Sequence, residues 1–199
     1  MEKLIKRYIK KDDPETLHDL RVYARKVLSN LEKEGKIDLG LKELLKKSSK
    51  LRDTDVLLEI CKNKKAKKYL KQKHKKLRKK FLKWLKDFKS LVITLEPQKH
   101  KEISLKKCKE ILSESFLNKD EKSLHKIRIE IKKCRYTNPK YEKKFKLLQD
   151  TLGKMHDYYN CERLLLKLNQ NPKTAVKKKL KWLKKAEKKR IKVLKVLDS

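Results

Sequence analysis

The chain has 199 residues, of which 61 are Lys or Arg and 26 are Asp or Glu, for a formal net charge of +35. That length suits one domain or two small bundles packed as a unit, and the 37% of apolar residues recur at helical spacing along nearly the whole chain, which argues against disorder. Three Gly, four Pro and no β-branched alternation exclude a sheet protein and leave an all-α fold.

The first helical stretch covers about Glu2–Lys10. Asp13-Pro14-Glu15 then reads as a helix start, with an Asp N-cap, Pro at the first helical position and an acid in the first turn. That helix runs to about Lys33 and stops near Gly35. Helical patterns follow at about Leu39–Lys47 and Asp53–Lys62, then a long one at about Lys64–Lys89 with Leu70, Leu77, Phe81, Trp84 and Phe88 near one stripe. Pro97 marks a midpoint break. The pattern resumes at about Glu102–Phe116, Asp120–Tyr136, Tyr141–Leu152 and Asp157–Leu168. Asn171-Pro172 is a second cap-plus-proline start, and the last helix runs to about Leu197.

The halves resemble each other. His18-Asp19-Leu20-Arg21-Val22 returns as His125-Lys126-Ile127-Arg128-Ile129, and Leu51-Arg52-Asp53-Thr54-Asp55 aligns with Met155-His156-Asp157-Tyr158-Tyr159. This duplication predicts two similar helical bundles, about 1–96 and about 97–199, related by a pseudo-two-fold axis that brings the same face of both copies together. On a helical wheel Leu17, Leu20, Ala24, Val27, Leu28 and Leu31 form one apolar arc, with His18, Arg21 and Arg25 in a stripe beside it. In the second copy Leu124, Ile127, Ile131 and Cys134 make the arc, His125, Arg128 and Lys132 the stripe, and Arg135 joins its edge. Lys26 and Lys133 lie on the far side. Neither stripe carries an acid. Cations partly buried without a partner are costly, and a bound phosphate resolves the cost, since Arg offers it a planar fork and Lys a point charge. Four of the nine arginines sit in these two helices; the plainer explanation is that they snorkel at helix borders.

Other features read as structural. The acids of Arg52-Asp53-Thr54-Asp55 are N-terminal caps or orient a nearby Arg, and His156 stands at the Arg52 position. His74 and His100 lack the stripe context. Cys61, Cys108, Cys134 and Cys161 show no metal-ligand spacing and read as small apolar fillers. No apolar run reaches membrane-spanning length and Met1–Lys6 has no signal-peptide core, so a soluble, cytoplasmic protein is expected. A metal-binding carboxylate set and a phosphate-cradling Gly loop are both missing from the sequence, so an enzyme acting on phosphate chains is disfavoured and no cofactor is expected.

The segments Leu17-His18-Asp19-Leu20-Arg21-Val22 with Arg25-Lys26, Leu124-His125-Lys126-Ile127-Arg128-Ile129 with Lys132-Lys133-Cys134-Arg135-Tyr136, Leu51–Val56 and Leu148–Gly153 resemble the conserved histidine α-helical domain family, CHAD, in the expected order over essentially the whole chain. The resemblance implies a pair of four-helix bundles with pseudo-two-fold symmetry and a basic pore or groove between them that binds inorganic polyphosphate. It assigns ligand-lining positions to His18, Arg21, Arg25, Lys26, His125, Arg128, Lys132, Lys133 and Arg135. Arg52 joins this set, and Arg78 and Arg190 are weaker candidates by spacing. The sequence departs from the family at Leu28, where a basic residue is common, and in its wide use of Lys for Arg. A cytoplasmic site at polyphosphate granules would follow. The competing reading is a basic helical nucleic-acid-binding protein, for which the 7% aromatic content offers little stacking surface. A fourth reading lays the lysine-rich last helix, Lys177–Leu197, on anionic lipid, although Leu180, Leu183, Arg190 and Leu194 are expected to pack inward.

Overall fold

A computed structural model describes residues 1–94 and 103–198. It divides into two compact units, Met1–Lys99 and His100–Ser199, each with its own core. Pro97, His100 and the expected helix start at Glu102 lie outside the described residues.

Unit 1 contains α1 (Glu2–Lys10), α2 (Pro14–Lys33), β1 (Lys36–Asp38), α3 (Leu39–Lys47), α4 (Ser49–Ile60), α5 (Lys64–Lys86) and β2 (Val92–Thr94). Asp13 caps α2 as expected, accepting the amide protons of Glu15 and Thr16. Gly35 ends that helix with φ 67°, a left-handed conformation that favours Gly. Leu17, Leu20, Ala24 and Leu28 of α2 are buried against Tyr8, Leu41, Leu44, Leu51, Phe81 and Leu85. The apolar arc read from the sequence is therefore the core-facing one, with Val27 at its half-buried edge.

A two-stranded antiparallel ribbon corrects the strand-free expectation: Lys36 pairs with Thr94, Ile37 with Ile93 and Asp38 with Val92. Asp38 fastens it to α3. Its Oδ1 accepts the amide protons of Leu41 (3.0 Å) and Leu91 (3.2 Å), and its Oδ2 accepts the Ser90 hydroxyl. These donors hold the carboxyl below its usual range despite burial. Gly40 sits where a Cβ would lie 2.0 Å from the Lys89 carbonyl oxygen, so the close approach of this loop requires Gly.

Unit 2 contains α6 (Leu105–Ser113), a 3-10 turn at Phe116–Asn118, α7 (Glu121–Thr137), a second turn at Pro139–Tyr141, α8 (Glu142–Lys167) and α9 (Lys173–Asp198). Two boundaries differ from the sequence reading. The expected helix through Phe116 breaks after Ser113, and the expected pair Tyr141–Leu152 and Asp157–Leu168 is one continuous helix with Gly153 in its interior. Burial of Leu148, Thr151, Leu152 and Met155 on both sides of that Gly outweighs its cost of about 1 kcal/mol.

Cys108 and Cys134 are not fillers. They form a disulfide that ties α6 to α7, with Cα atoms 5.9 Å apart and the two cysteines 26 positions apart in sequence. On α9, Leu180 is not inward as expected but 47% exposed, while Arg190 is buried. Among the described residues no helix is long and apolar enough to cross a membrane.

Candidate phosphate-binding sites

The two basic stripes meet different surroundings. In unit 1, Arg21 is buried, and Nη1 donates to the Leu45 carbonyl (2.7 Å) and to the Ser48 hydroxyl, which itself donates to the Leu44 carbonyl (2.6 Å). Arg21 thus satisfies one C-terminal carbonyl of α3 and holds the Ser48 hydroxyl that satisfies another, at an end where the helix dipole also favours a cation. Burial, with Arg25 close by and Arg52 beyond, lowers its pKa to about 10, against a smaller opposing effect of Asp53. His18 lies half-buried one turn before it, while Arg25 and Lys26 are exposed.

Arg52 comes to the same region from α4. Its Nη1 donates to the Pro14 carbonyl (3.3 Å) and approaches Glu15 at 3.9 Å. Asp53 and Asp55 are not caps, because α4 begins at Ser49 and both lie inside it. Asp53 is shifted upward by burial, against the pull of Arg21, Lys73 and Arg52.

Asp55 belongs to a separate polar cluster that the sequence did not reveal. His74 of α5 places Nε2 2.9 Å from Asp55 Oδ1 and Nδ1 3.7 Å from Asp12 Oδ2. Arg78 pairs with Asp12 (2.9 Å) and lies over the Tyr8 ring, 5.7 Å from its centroid. Arg78, a weaker ligand candidate by spacing, is therefore engaged within the unit. Burial raises the Asp55 pKa to about 6 against the opposing charges of His74 and Arg52. A carboxyl whose folded pKa exceeds its ordinary value adds stability below that ordinary value and loses it as pH rises through the folded one. We expect Asp55→Asn to gain on wild type as pH rises from about 4 to about 6. Urea midpoints read from Trp84 fluorescence in a Trp182→Phe background measure this. A pH-independent gap would mean that Asp55 does not titrate in that window.

In unit 2, Arg128 on α7 lies against the backbone of α8 at Gly153. A Cβ there would stand 3.5 Å from its Nε and 3.6 Å from its Nη2. The Nε is buried and meets no acceptor. One turn along α8 from Gly153, the His156 ring lies 5.2 Å from that of His125. Burial lowers the His156 pKa, and His125, Arg128 and Arg163 lower it further. Arg163 and Lys179 both lie over the Tyr159 ring, at 5.7 and 5.6 Å, but Lys179 is ion-paired to Glu162 (2.8 Å) and Glu121 (3.4 Å).

The remaining candidates separate from this cluster. Arg135 is not acid-free as expected: Nε and Nη2 both donate to Glu142 Oε1, at 3.2 and 2.9 Å. Lys132 and Arg135 flank the exposed Tyr136 ring, and Lys133 is exposed. Arg190 is fully engaged inside unit 2 by Glu187 and the carbonyls of Leu112 and Ser113, which removes it from the ligand set.

Gly153, His156 and Arg163 fall at i, i+3 and i+10 on one face of α8, a spacing the sequence held but that breaking the helix at Gly153 concealed. Among the described residues no group of His, Cys, Asp and Glu is arranged to hold a metal ion. Compared with protein-family models, curated proteins and solved structures, the chain matches none of them.

Proposed function

We propose that the chain binds inorganic polyphosphate without turning it over, using the cations gathered on α2 and α4 in unit 1 and on α7 and α8 in unit 2. One observation carries the reading: the buried Arg128 Nε has no acceptor, and Arg163, His125 and His156 gather beside it as further donors. A buried guanidinium donor left unpaired costs stability unless an anion completes it. Phosphate suits the place, since its oxygens accept from Arg and from either His in any protonation state. The net charge of +35 and the resemblance of both His helices to CHAD support the same ligand. The reading places the protein in the cytoplasm at polyphosphate granules.

Titration with polyphosphate, double-stranded DNA and RNA at several salt concentrations tests the proposal. Displacement of condensed counterions by about 6–10 cations gives a loss of affinity of roughly a thousandfold to a hundred-thousandfold between about 50 and 200 mM salt. Polyphosphate is expected to bind more tightly than either nucleic acid throughout. Displacement of polyphosphate by RNA or DNA at physiological salt would favour the nucleic-acid reading, and phosphate release with Mg²⁺ would contradict the non-catalytic one.

A further inference from the structure

The outer face of α9 combines two features that the phosphate sites do not use. On a wheel of about 100° per residue, Lys177, Lys181, Lys184, Lys188 and Lys195 fall within an arc of about 60° and span about 27 Å of helix. All five are exposed. The helix has only two acids, and both are turned elsewhere: Glu187 is buried with Arg190, and Asp198 pairs with Lys109 at 2.9 Å. Lys179 and Lys189 point away from this face, the first to Glu162 and the second to the Thr151 hydroxyl at 2.8 Å. Along one border of the lysine row stand Leu180 and Ile191, 47% and 42% exposed. A recess of about 510 Å³ runs there, lined by Lys177, Leu180, Lys181, Lys184, Lys185 and Lys188.

The long helix of unit 1 supplies the contrast. α5 carries twelve Lys and no acid, and its outward stripe is Lys68, Lys75, Lys79 and Lys86, with Gln72 beside it and no exposed large apolar residue. Such a face offers charge alone. On α9 the charge comes with two aliphatic side chains left in water and with the methylene stems of the lysines around them. A polyphosphate or nucleic-acid backbone would neutralise the lysines and leave Leu180 and Ile191 wet. An anionic lipid surface takes both: headgroups meet the ammonium groups, and the boundary below them accepts the aliphatic side chains. The row follows one face of a single helix, so a flat surface can meet all five lysines. We infer that the outer face of α9, centred on Leu180 and Lys184, is a docking surface for anionic lipid bilayers.

The test is sedimentation of the full chain with vesicles of phosphatidylcholine alone or mixed with phosphatidylglycerol, at about 0.1 M salt. Three proteins are compared: wild type, Lys181→Gln/Lys184→Gln/Lys188→Gln, and Leu180→Asn/Ile191→Asn. Every substituted position is exposed, and far-UV circular dichroism checks that the helices persist. Wild type should bind the mixed vesicles and not phosphatidylcholine alone. At about fivefold per lysine, the triple variant should partition about a hundredfold more weakly. The aliphatic variant should lose about tenfold on vesicles and leave polyphosphate affinity unchanged. Undiminished vesicle binding by the aliphatic variant would overturn the inference, because the face would then be a plain cation row. So would a triple-variant loss for polyphosphate or double-stranded RNA as steep as the loss for vesicles. Failure of polyphosphate binding by wild type would touch the proposed function and leave this result standing.

Discussion

Arg190→Met is expected to destabilise unit 2 by about 3–5 kcal/mol, measured by urea unfolding followed through Trp182. The guanidinium grips Glu187 through two bonds, Nε to Oε2 at 3.0 Å and Nη2 to Oε1 at 2.7 Å. Its Nη1 donates to the Leu112 carbonyl (2.5 Å) and the Ser113 carbonyl (3.3 Å) at the end of α6. Glu187 in turn accepts the Phe116 amide proton at 2.9 Å, which sets the 3-10 turn after that helix. Removing the Arg leaves a buried carboxylate uncompensated and two helix-terminal carbonyls without a donor. Removing both charges, as Arg190→Met/Glu187→Leu, abolishes the stranded carboxylate and should recover part of the loss, short of wild type because the Phe116 amide and the carbonyls stay unpaired. Acid narrows the gap. The Arg190 contact lowers the Glu187 pKa, so its stabilisation is present above the ordinary Glu value and is lost as pH falls through the folded one, whereas protonation relieves the single variant. A single variant as stable as the double one would show that Glu187 is not stranded by loss of its partner.

The same comparison explains which parts of the molecule were legible in the sequence. The arcs of α2 and α7 were, because one apolar stripe per helix is a local property: Leu17, Leu20 and Ala24, and Leu124, Ile131 and Cys134, all turn to their cores. So were the Asp13 cap and the Gly35 stop, each a matter of a few neighbouring residues. The ribbon of three-residue strands was not, because alternation carries no information over three residues and Val92-Ile93-Thr94 finds its partner more than fifty positions away. The pattern gave two stretches, Tyr141–Leu152 and Asp157–Leu168, whereas packing on either side of Gly153 carries one helix through it.

The candidate site was legible to the extent that side chains on one helix defined it. His18, Arg21 and Arg25, and His125 and Arg128, could be placed on stripes by spacing. What each Arg touches across the bundle could not. Arg21 and Arg128 each stand three residues after a His on their helix, yet one donates to the end of α3 and the other lies on α8 with a buried nitrogen unmatched. Arg190 shows the same limit, since its acid is three residues away in sequence but its carbonyl partners are on α6. The disulfide likewise joins two helices whose cysteines have no spacing signature.

That difference between Arg21 and Arg128 selects the second large effect. We expect Arg128→Ala to weaken polyphosphate binding about 30- to 150-fold, the worth of roughly 2–3 kcal/mol for charge-assisted bonds to a partly desolvated anion. The folded state should be unharmed or slightly firmer, since the substitution removes a buried donor that has no acceptor in the protein. Arg21→Ala behaves in the opposite way: it strips the end of α3 of its donor, so its loss of binding comes with a loss of unit 1 stability. Proton uptake is expected to accompany polyphosphate binding. Burial, with His125, Arg128 and Arg163 beside the ring, holds His156 below its ordinary pKa, and a phosphate bound there would oppose their effect, so the bound state should take up protons that the free state refuses. Affinity should therefore rise as pH falls through the range in which His titrates, and His156→Gln should flatten that rise while keeping the salt dependence. Isothermal titration in two buffers of different ionisation enthalpy reads the proton uptake directly. Equal affinities for wild type and Arg128→Ala, with a flat pH profile in both, would remove unit 2 from the binding surface and leave the unmatched guanidinium without a ligand to explain it.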